Sequence, residues 1–163
     1  MLDWVNPEPT QAMPETPSHD YSKRHLTGKI LAACYAVYGE LGIGFLESVY
    51  EAAVCHLLEV DGTVVRRQAP LPVWFRGEVI ARFRADILVE NAVLVELKAG
   101  QALHPVHEAQ LLNNLKASGI EIGLLFNFGP KPQFKRMIFS RHQMIRARPC
   151  SSVAAVQPSG GGL

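Results

Sequence analysis

The sequence predicts a single α/β domain, a mixed β-sheet flanked by helices. Three observations predict it. Apolar residues recur at helical spacing twice before Val60 and once more after Pro105. Between those segments the apolar period drops to two, the mark of strands. After the third helical segment comes a nearly continuous apolar run, Ile120 to Phe128, as expected of a strand covered on both faces. The size fits one domain: of 163 residues, 48% are hydrophobic and 19% charged, enough to fill a core.

The elements follow in order. Residues 1–20 hold Pro7, Pro9, Pro14 and Pro17 with little periodicity, and are expected to be a disordered leader. Thr27 to Glu40 reads as a helix with Ile30, Leu31, Cys34, Val37, Tyr38 and Leu41 on one stripe; Gly39, Gly42 and Gly44 break it. Leu46 to Val60 restarts a helix whose expected apolar face is Leu46, Val49, Tyr50, Ala53, Val54, Leu57 and Leu58. Four strands should follow: Val64 to Gln68, Leu71 to Arg76, Val79 to Val89 and Ala92 to Lys98, with Gly77 in a turn. Pro105 to Ser118 returns to helical spacing, and proline suits a first helical turn. Gly119 ends that helix, Ile120 to Phe128 is a strand, and Phe134 to Phe139 adds an edge strand. The unit from Val93 to Phe128 should make a parallel crossover. The domain is expected over 21–147, with 148–163 a flexible tail rich in Pro, Ser and Gly.

Composition narrows the function. The formal net charge is +1, so binding to nucleic acid by bulk charge alone is not expected; a local patch or a brief catalytic encounter is. Cys34, Cys55 and Cys150 are odd in number and form no C-x-x-C pair, which argues against a disulfide scaffold or structural zinc. No apolar run reaches membrane-span length, and the first residues lack a signal-peptide pattern. A cytoplasmic protein without a membrane partner is expected.

The chemistry concentrates in Asp86 to Lys98. Asp86, Glu96 and Lys98 interrupt strands that are otherwise apolar. Glu96 and Lys98 share a strand face, while Val95 and Leu97 face the other way. One reading is a solvated face with a cross-strand ion pair, contributing roughly 0–1 kcal/mol. The other is phosphodiester hydrolysis: two carboxylates holding magnesium or manganese, and a lysine steadying the water or the developing charge. Upstream, Glu47 and Tyr50 lie three apart on a helix, where Glu47 has a simple role at the helix dipole as an alternative. Downstream, Gln110 and Asn114 follow one stripe of the last helix; Gln110 either bonds a neighbour or reaches over the sheet to the carboxylates. His104 and His107 have no third ligand near in sequence, so zinc is not expected there.

The loop between the carboxylates makes a sharper expectation. A two-residue loop of Glu90 and Asn91 would pair Val89 with Ala92 and send Asp86 and Glu96 to opposite faces. A three-residue loop pairs Val89 with Val93 and brings them to one face. Asn91 tolerates the left-handed backbone such a loop needs.

With these residues in view, the chain resembles the GxxExxY protein family, a branch of the PD-(D/E)XK nuclease superfamily. The naming motif stands as Gly44, Glu47 and Tyr50 in GFLESVY. The similarity continues, in order, through QAPLPVWFRG, RADILVENAVLVELKA, LHPVHEAQLLNNLKASG and IGLLFNFG. The resemblance implies a PD-(D/E)XK nuclease-like α-β-β-β-α-β core. It implies catalytic residues Glu47, Asp86, Glu96, Lys98 and Gln110, with Asp86, Glu96 and Glu47 on Mg2+ or Mn2+. Two departures are Asn114, where the family often has an aromatic, and Ile43, where it often has Pro. The function expected is a metal-dependent nuclease acting on nucleic acid, most naturally DNA, in repair, recombination or defence. The alternative is a non-catalytic module of the same fold that binds nucleic acid or a protein partner. A homodimer or a protein complex is compatible with either.

Overall fold

The computed structural model describes residues 19–140. The expected leader up to residue 18, the tail 148–163, Cys150 and the stretch 141–147 lie outside the described residues. In chain order the elements are α1 (His19–Leu41), α2 (Glu47–Val60), β1 (Val65–Phe75), β2 (Glu78–Val89), β3 (Val93–Lys98), α3 (Pro105–Ser118), β4 (Ile122–Asn127) and β5 (Gln133–Ile138). The strands form one five-stranded sheet in the order β1-β2-β3-β4-β5. Neighbours are antiparallel except β3 and β4, the crossover pair, which run parallel.

The sheet is covered on both faces, which makes three layers. Ile87, Val89, Val93, Val95, Leu97, Leu124, Phe126 and Phe128 pack with Ile30, Cys34, Val37, Tyr50, Val54 and Leu58 of α1 and α2. Leu88, Leu94 and Leu125 pack on the other side with Leu111 and Leu115 of α3, beside Ala69 and Leu71 of β1. All six residues of β4 are buried, as its unbroken apolar run predicts. Among the described residues no helix is long and apolar enough to cross a membrane.

Three expectations need correction. The helix expected from Thr27 begins at His19, because the polar stretch before Leu26 has no apolar stripe to announce it. It is held there by an ion pair of Lys23 with Glu121 at 2.6 Å. The two strands expected over 64–76 are one strand, β1, paired along its length with β2. Gln68, at φ 48, bends it without ending it. The apolar face of α2 is rotated from the one expected: Tyr50, Glu51, Val54, Cys55 and Leu58 are buried, and Leu46 and Val49 are exposed. A carboxylate, Glu51, therefore occupies the buried face.

The β1–β2 pair changes face at Gln68. Two residues along a strand should return to the same side. Val65 packs with the α1/α2 core, yet Ala69 packs with the α3 core; across from them Val89 and Ile87 lie on the first side and Ala85 on the second. The switch falls at Gln68 and the residue across from it in the same register, Asp86. Beyond Leu71 and its partner Phe83 the hairpin extends past the core and ends in a two-residue turn. Arg76 (φ 50) and Gly77 (φ 88) join the Phe75–Glu78 pair there, a turn whose left-handed positions favour glycine.

Candidate active site in a strand fork

The register brings the two carboxylates together. Val89 pairs with Val93, Leu88 with Leu94 and Ile87 with Val95. The loop is therefore Glu90, Asn91 and Ala92, the odd-length loop that a shared face for Asp86 and Glu96 calls for where no β-bulge restores the phase. Two of its residues, Glu90 and Asn91, stand at φ 51. One step further the same register sets Asp86 across from Glu96, but there the ladder ends. The Leu97 N–H, next on β3, donates instead to Asp86 Oδ2 at 2.8 Å. The strands part at this point, and Asp86 holds the opening of the fork.

Glu96 lies at the bottom of the fork and is 0% exposed. It sits on the α3 side, where Gln110 Nε2 donates to its Oε2 at 3.0 Å and Asn114 Nδ2 donates to its Oε1. Asn114 Nδ2 also lies 3.4 Å from the Arg84 carbonyl, tying α3 to β2. Gln110 and Asn114 are four apart and so project from one helical face. Lys98 Nζ, from the same strand face as Glu96, stands 3.9 Å from Glu96 Oε2. The chain beyond Lys98 is pinned: Phe128 N–H donates to the Lys98 carbonyl at 2.7 Å, and Asn127 bonds Gly100 through both ends of its amide.

Glu47 arrives from the other side, at the first turn of α2. The G44-x-x-E47-x-x-Y50 spacing has a visible mechanical basis. Gly44 takes φ 104, a conformation open to glycine and few others. The Tyr50 hydroxyl donates to the Gly42 carbonyl at 2.9 Å and accepts from the Phe45 N–H at 3.3 Å. Its ring, fully buried, stacks on Phe128 at 4.1 Å. Tyr50 thus clamps the loop that delivers Glu47. The Glu47 side chain is exposed, and its charge reaches both Asp86 and Glu96.

Electrostatics follow from this crowding. Burial pushes Glu96 up to about 8; the Asp86 charge adds to the rise, and Lys98 and the Asn114 amide oppose it. Asp86 is also raised by burial, opposed by the Leu97 N–H and Lys98 and reinforced by Glu51 and Glu47. The fork holds more negative charge than Lys98 offsets.

That surplus bears on whether a metal fits. Carboxylate oxygens are hard donors, and a divalent cation would relieve the repulsion that raises both acids. Asp86 and Glu96 fit such an ion. Among the described residues no three His, Cys, Asp or Glu side chains already form a metal cluster, so Glu47 stands back from the pair. Of the five expected residues, Asp86, Glu96, Lys98 and Gln110 meet at this fork, and Glu47 acts on its two acids through charge alone.

Two neighbours join the expected residues. Asn114 lies at the next position on the Gln110 stripe and shares its hold on Glu96. Glu51, 4% exposed, accepts from Arg67 Nε at 2.9 Å and from Gln68 Nε2, and so braces the bend across from Asp86. Its only sequence signal was its place four residues after Glu47. His104 and His107 serve the start of α3: His104 Nδ1 accepts from the Val106 N–H, and His107 Nδ1 from the His104 N–H.

A sequence model described as the PD-(D/E)XK nuclease superfamily matches residues 24–137. No curated protein matches the chain. Among solved structures, that of SSO0001 is similar at 16% identity and a TM-score of 0.47, covering 76% of this chain and 63% of that one. An alkaline exonuclease (LHK-Exo) from Laribacter hongkongensis is similar at 12% identity and a TM-score of 0.46, covering 82% of this chain and 76% of that one. The chain spans less than two thirds of the first of these proteins.

Proposed function

Because the chain belongs to the PD-(D/E)XK nuclease superfamily, we propose that it is a metal-dependent nuclease that hydrolyses phosphodiester bonds in DNA. The observation that carries this reading is the fork itself: a fully buried Glu96, its acid raised to about 8, beside Asp86. Burying two carboxyl groups side by side, where each disfavours ionisation of the other, is costly without a purpose for them.

In this reading Asp86 and Glu96 hold Mg2+ or Mn2+, and Glu47 reaches in from the first turn of α2 to complete the ligand set. The ion, when bound, supplies Lewis acidity toward a phosphoryl oxygen and acidity to a water. The remaining work belongs to the chain. The Leu97 N–H fixes Asp86, and the amides of Gln110 and Asn114 fix Glu96, so the carboxylates are oriented before any substrate arrives. Lys98 Nζ, close to Glu96, is placed to orient the attacking water or to stabilise charge that develops on the phosphate. The free, buried Cys34 and Cys55 are in keeping with a reducing cytoplasm.

The test is cleavage of supercoiled plasmid and of single-stranded DNA with Mg2+ or Mn2+, against EDTA, beside calorimetric titration with the metal. Asp86→Ala should abolish both metal binding and cleavage. Undiminished binding and cleavage in that variant would remove Asp86 from the site and defeat the reading.

A further inference from the structure

A chain of adjoining surface depressions runs from Arg66 and Asn91, beside the β2–β3 loop, past Trp74 and Phe83 of the β1–β2 hairpin and along α3, to the amides that hold Glu96. It consists of three open depressions of about 560, 500 and 300 Å3. The first and second share Trp74 and Ala117; the second and third share Phe83 and Asn113. The third is lined by Gln110 and Asn114, whose side chains grip Glu96. The groove therefore ends one hydrogen bond from the carboxylate pair.

Its chemistry is selective. Trp74 is 63% exposed and Phe83 39%, although both are large apolar side chains for which burial is favourable. Arg66 lines one end and Lys116 the middle, and none of the described residues lining it is acidic, in a protein with 15 Asp and Glu. Exposed aromatic faces, basic groups and amides, without a carboxylate, complement a polyanion that carries flat, stackable groups. In a duplex the base faces are stacked inside and cannot reach such rings; in a single strand they are free.

We infer that this groove is a track for a single nucleic-acid strand, with bases stacked on Trp74 and Phe83 and a phosphate near Lys116, leading the strand to the fork. The inference rests on the nuclease reading for its direction and for DNA as the strand, but its binding chemistry can be tested without turnover.

The full chain is titrated with a fluorescein-labelled (dT)12 strand and, separately, with a labelled duplex, both in EDTA so that nothing is cut. Trp74→Ala and Phe83→Ala should each weaken single-strand binding about tenfold, the scale of one lost base stack, and leave duplex affinity and thermal midpoint unchanged. Lys116→Ala should lower the slope of log affinity against log salt by roughly 0.7. In a Trp4→Phe background, (dT)12 should quench the remaining Trp74 emission. Unchanged (dT)12 affinity in both aromatic variants overturns the inference, as does a wild-type chain that binds no single strand, the result expected if the groove takes a peptide. Cleavage in Mg2+ is read separately. If the wild type cuts nothing while Trp74 and Phe83 still govern strand binding, the track stands and the nuclease reading falls. If cutting depends on Asp86 while both aromatic variants bind normally, the reverse holds.

Discussion

Among the described residues two glutamates are buried, and they are treated in opposite ways. Glu51, on α2, is met by the guanidinium of Arg67 and the amide of Gln68. Glu96, on β3, is met by two neutral amides, and the Lys98 ammonium stops 3.9 Å away. Glu51 is neutralised where it stands and serves to hold the bend in β1. Glu96 has no such cationic partner in contact; burial first, and then the Asp86 charge, raises its acid to about 8, so the metal-free protein holds it protonated near neutral pH. A paired buried carboxylate has its interactions completed within the fold. An under-paired one is left with affinity for a cation from outside.

The largest expected effect tests how that imbalance is used. Lys98→Ala removes the one cation whose charge lowers both Asp86 and Glu96. If Lys98 acts on the transition state, turnover should fall about a hundredfold or more, with metal affinity equal or tighter and the fold intact. Normal cleavage by a folded Lys98→Ala chain would assign Lys98 to structure and blur the contrast between the two glutamates.

Next comes Glu51. Glu51→Ala leaves the Gln68 amide without its partner at a strained backbone position and should cost about 2 kcal/mol by urea denaturation. Glu96→Gln, which keeps shape and removes charge, should cost less in metal-free protein at pH 8 while losing metal binding. Equal stability losses in the two variants would break the comparison.

The pH dependence of the metal-free protein sharpens it. A carboxyl raised in the folded state favours folding most at low pH, where it is protonated in both states. Stability should therefore fall as pH rises from about 4.5 to about 8 and level off above that. Glu96→Gln should flatten this decline, leaving a smaller one from Asp86, and Mg2+ should offset it in the wild type. Thermal midpoints across that range, differing by roughly a few degrees per kcal/mol, decide the matter. A midpoint that instead rises between pH 5 and 8 would mean that Glu96 is paired as well as Glu51 is.

Much of this was legible in the sequence, and the misses have physical causes. The order of helices and strands followed from apolar period, and Asp86, Glu96 and Lys98 stood out because charge in an apolar strand demands a partner. Glu47 and Gln110 came from helical spacing joined to family resemblance. Glu51 was hidden because its partners, Arg67 and Gln68, come from a strand that only the tertiary fold brings to α2. The rotated face of α2 has the same cause: Leu46 and Val49 look like core by period, and burial chose Glu51 instead. The bend at Gln68 could not be read because an L-residue at φ 48 has no signature in composition. The role of Asn114 has no sequence signature, since an amide on an apolar stripe gives no hint of which acid it will meet.

The smallest expected effect lies in the loop that sets the phase of the fork. Asn91 takes φ 51 and its side chain accepts a hydrogen bond from Arg66; Glu90, also at φ 51, accepts the Val64 N–H through Oε1 at 2.8 Å. The Ala92 N–H closes the loop on the Val89 carbonyl at 2.9 Å. The left-handed backbone costs an ordinary residue about 1 kcal/mol more than it costs glycine or asparagine. Asn91→Ala should therefore destabilise the domain by about 1 kcal/mol, and Asn91→Gly by less, since glycine restores the backbone but not the bond to Arg66. In both variants the flanking pairs Val89–Val93 and Leu88–Leu94, buried on opposite faces, should hold the register, because a slip by one residue would turn Glu96 and Lys98 into the apolar core under α1 and α2. Metal affinity should then be unchanged. If Asn91→Ala costs about 1 kcal/mol and also abolishes metal binding, the loop and not the packing of β3 sets the phase of Asp86 and Glu96, and the unbalanced carboxylate at the fork depends on a single turn.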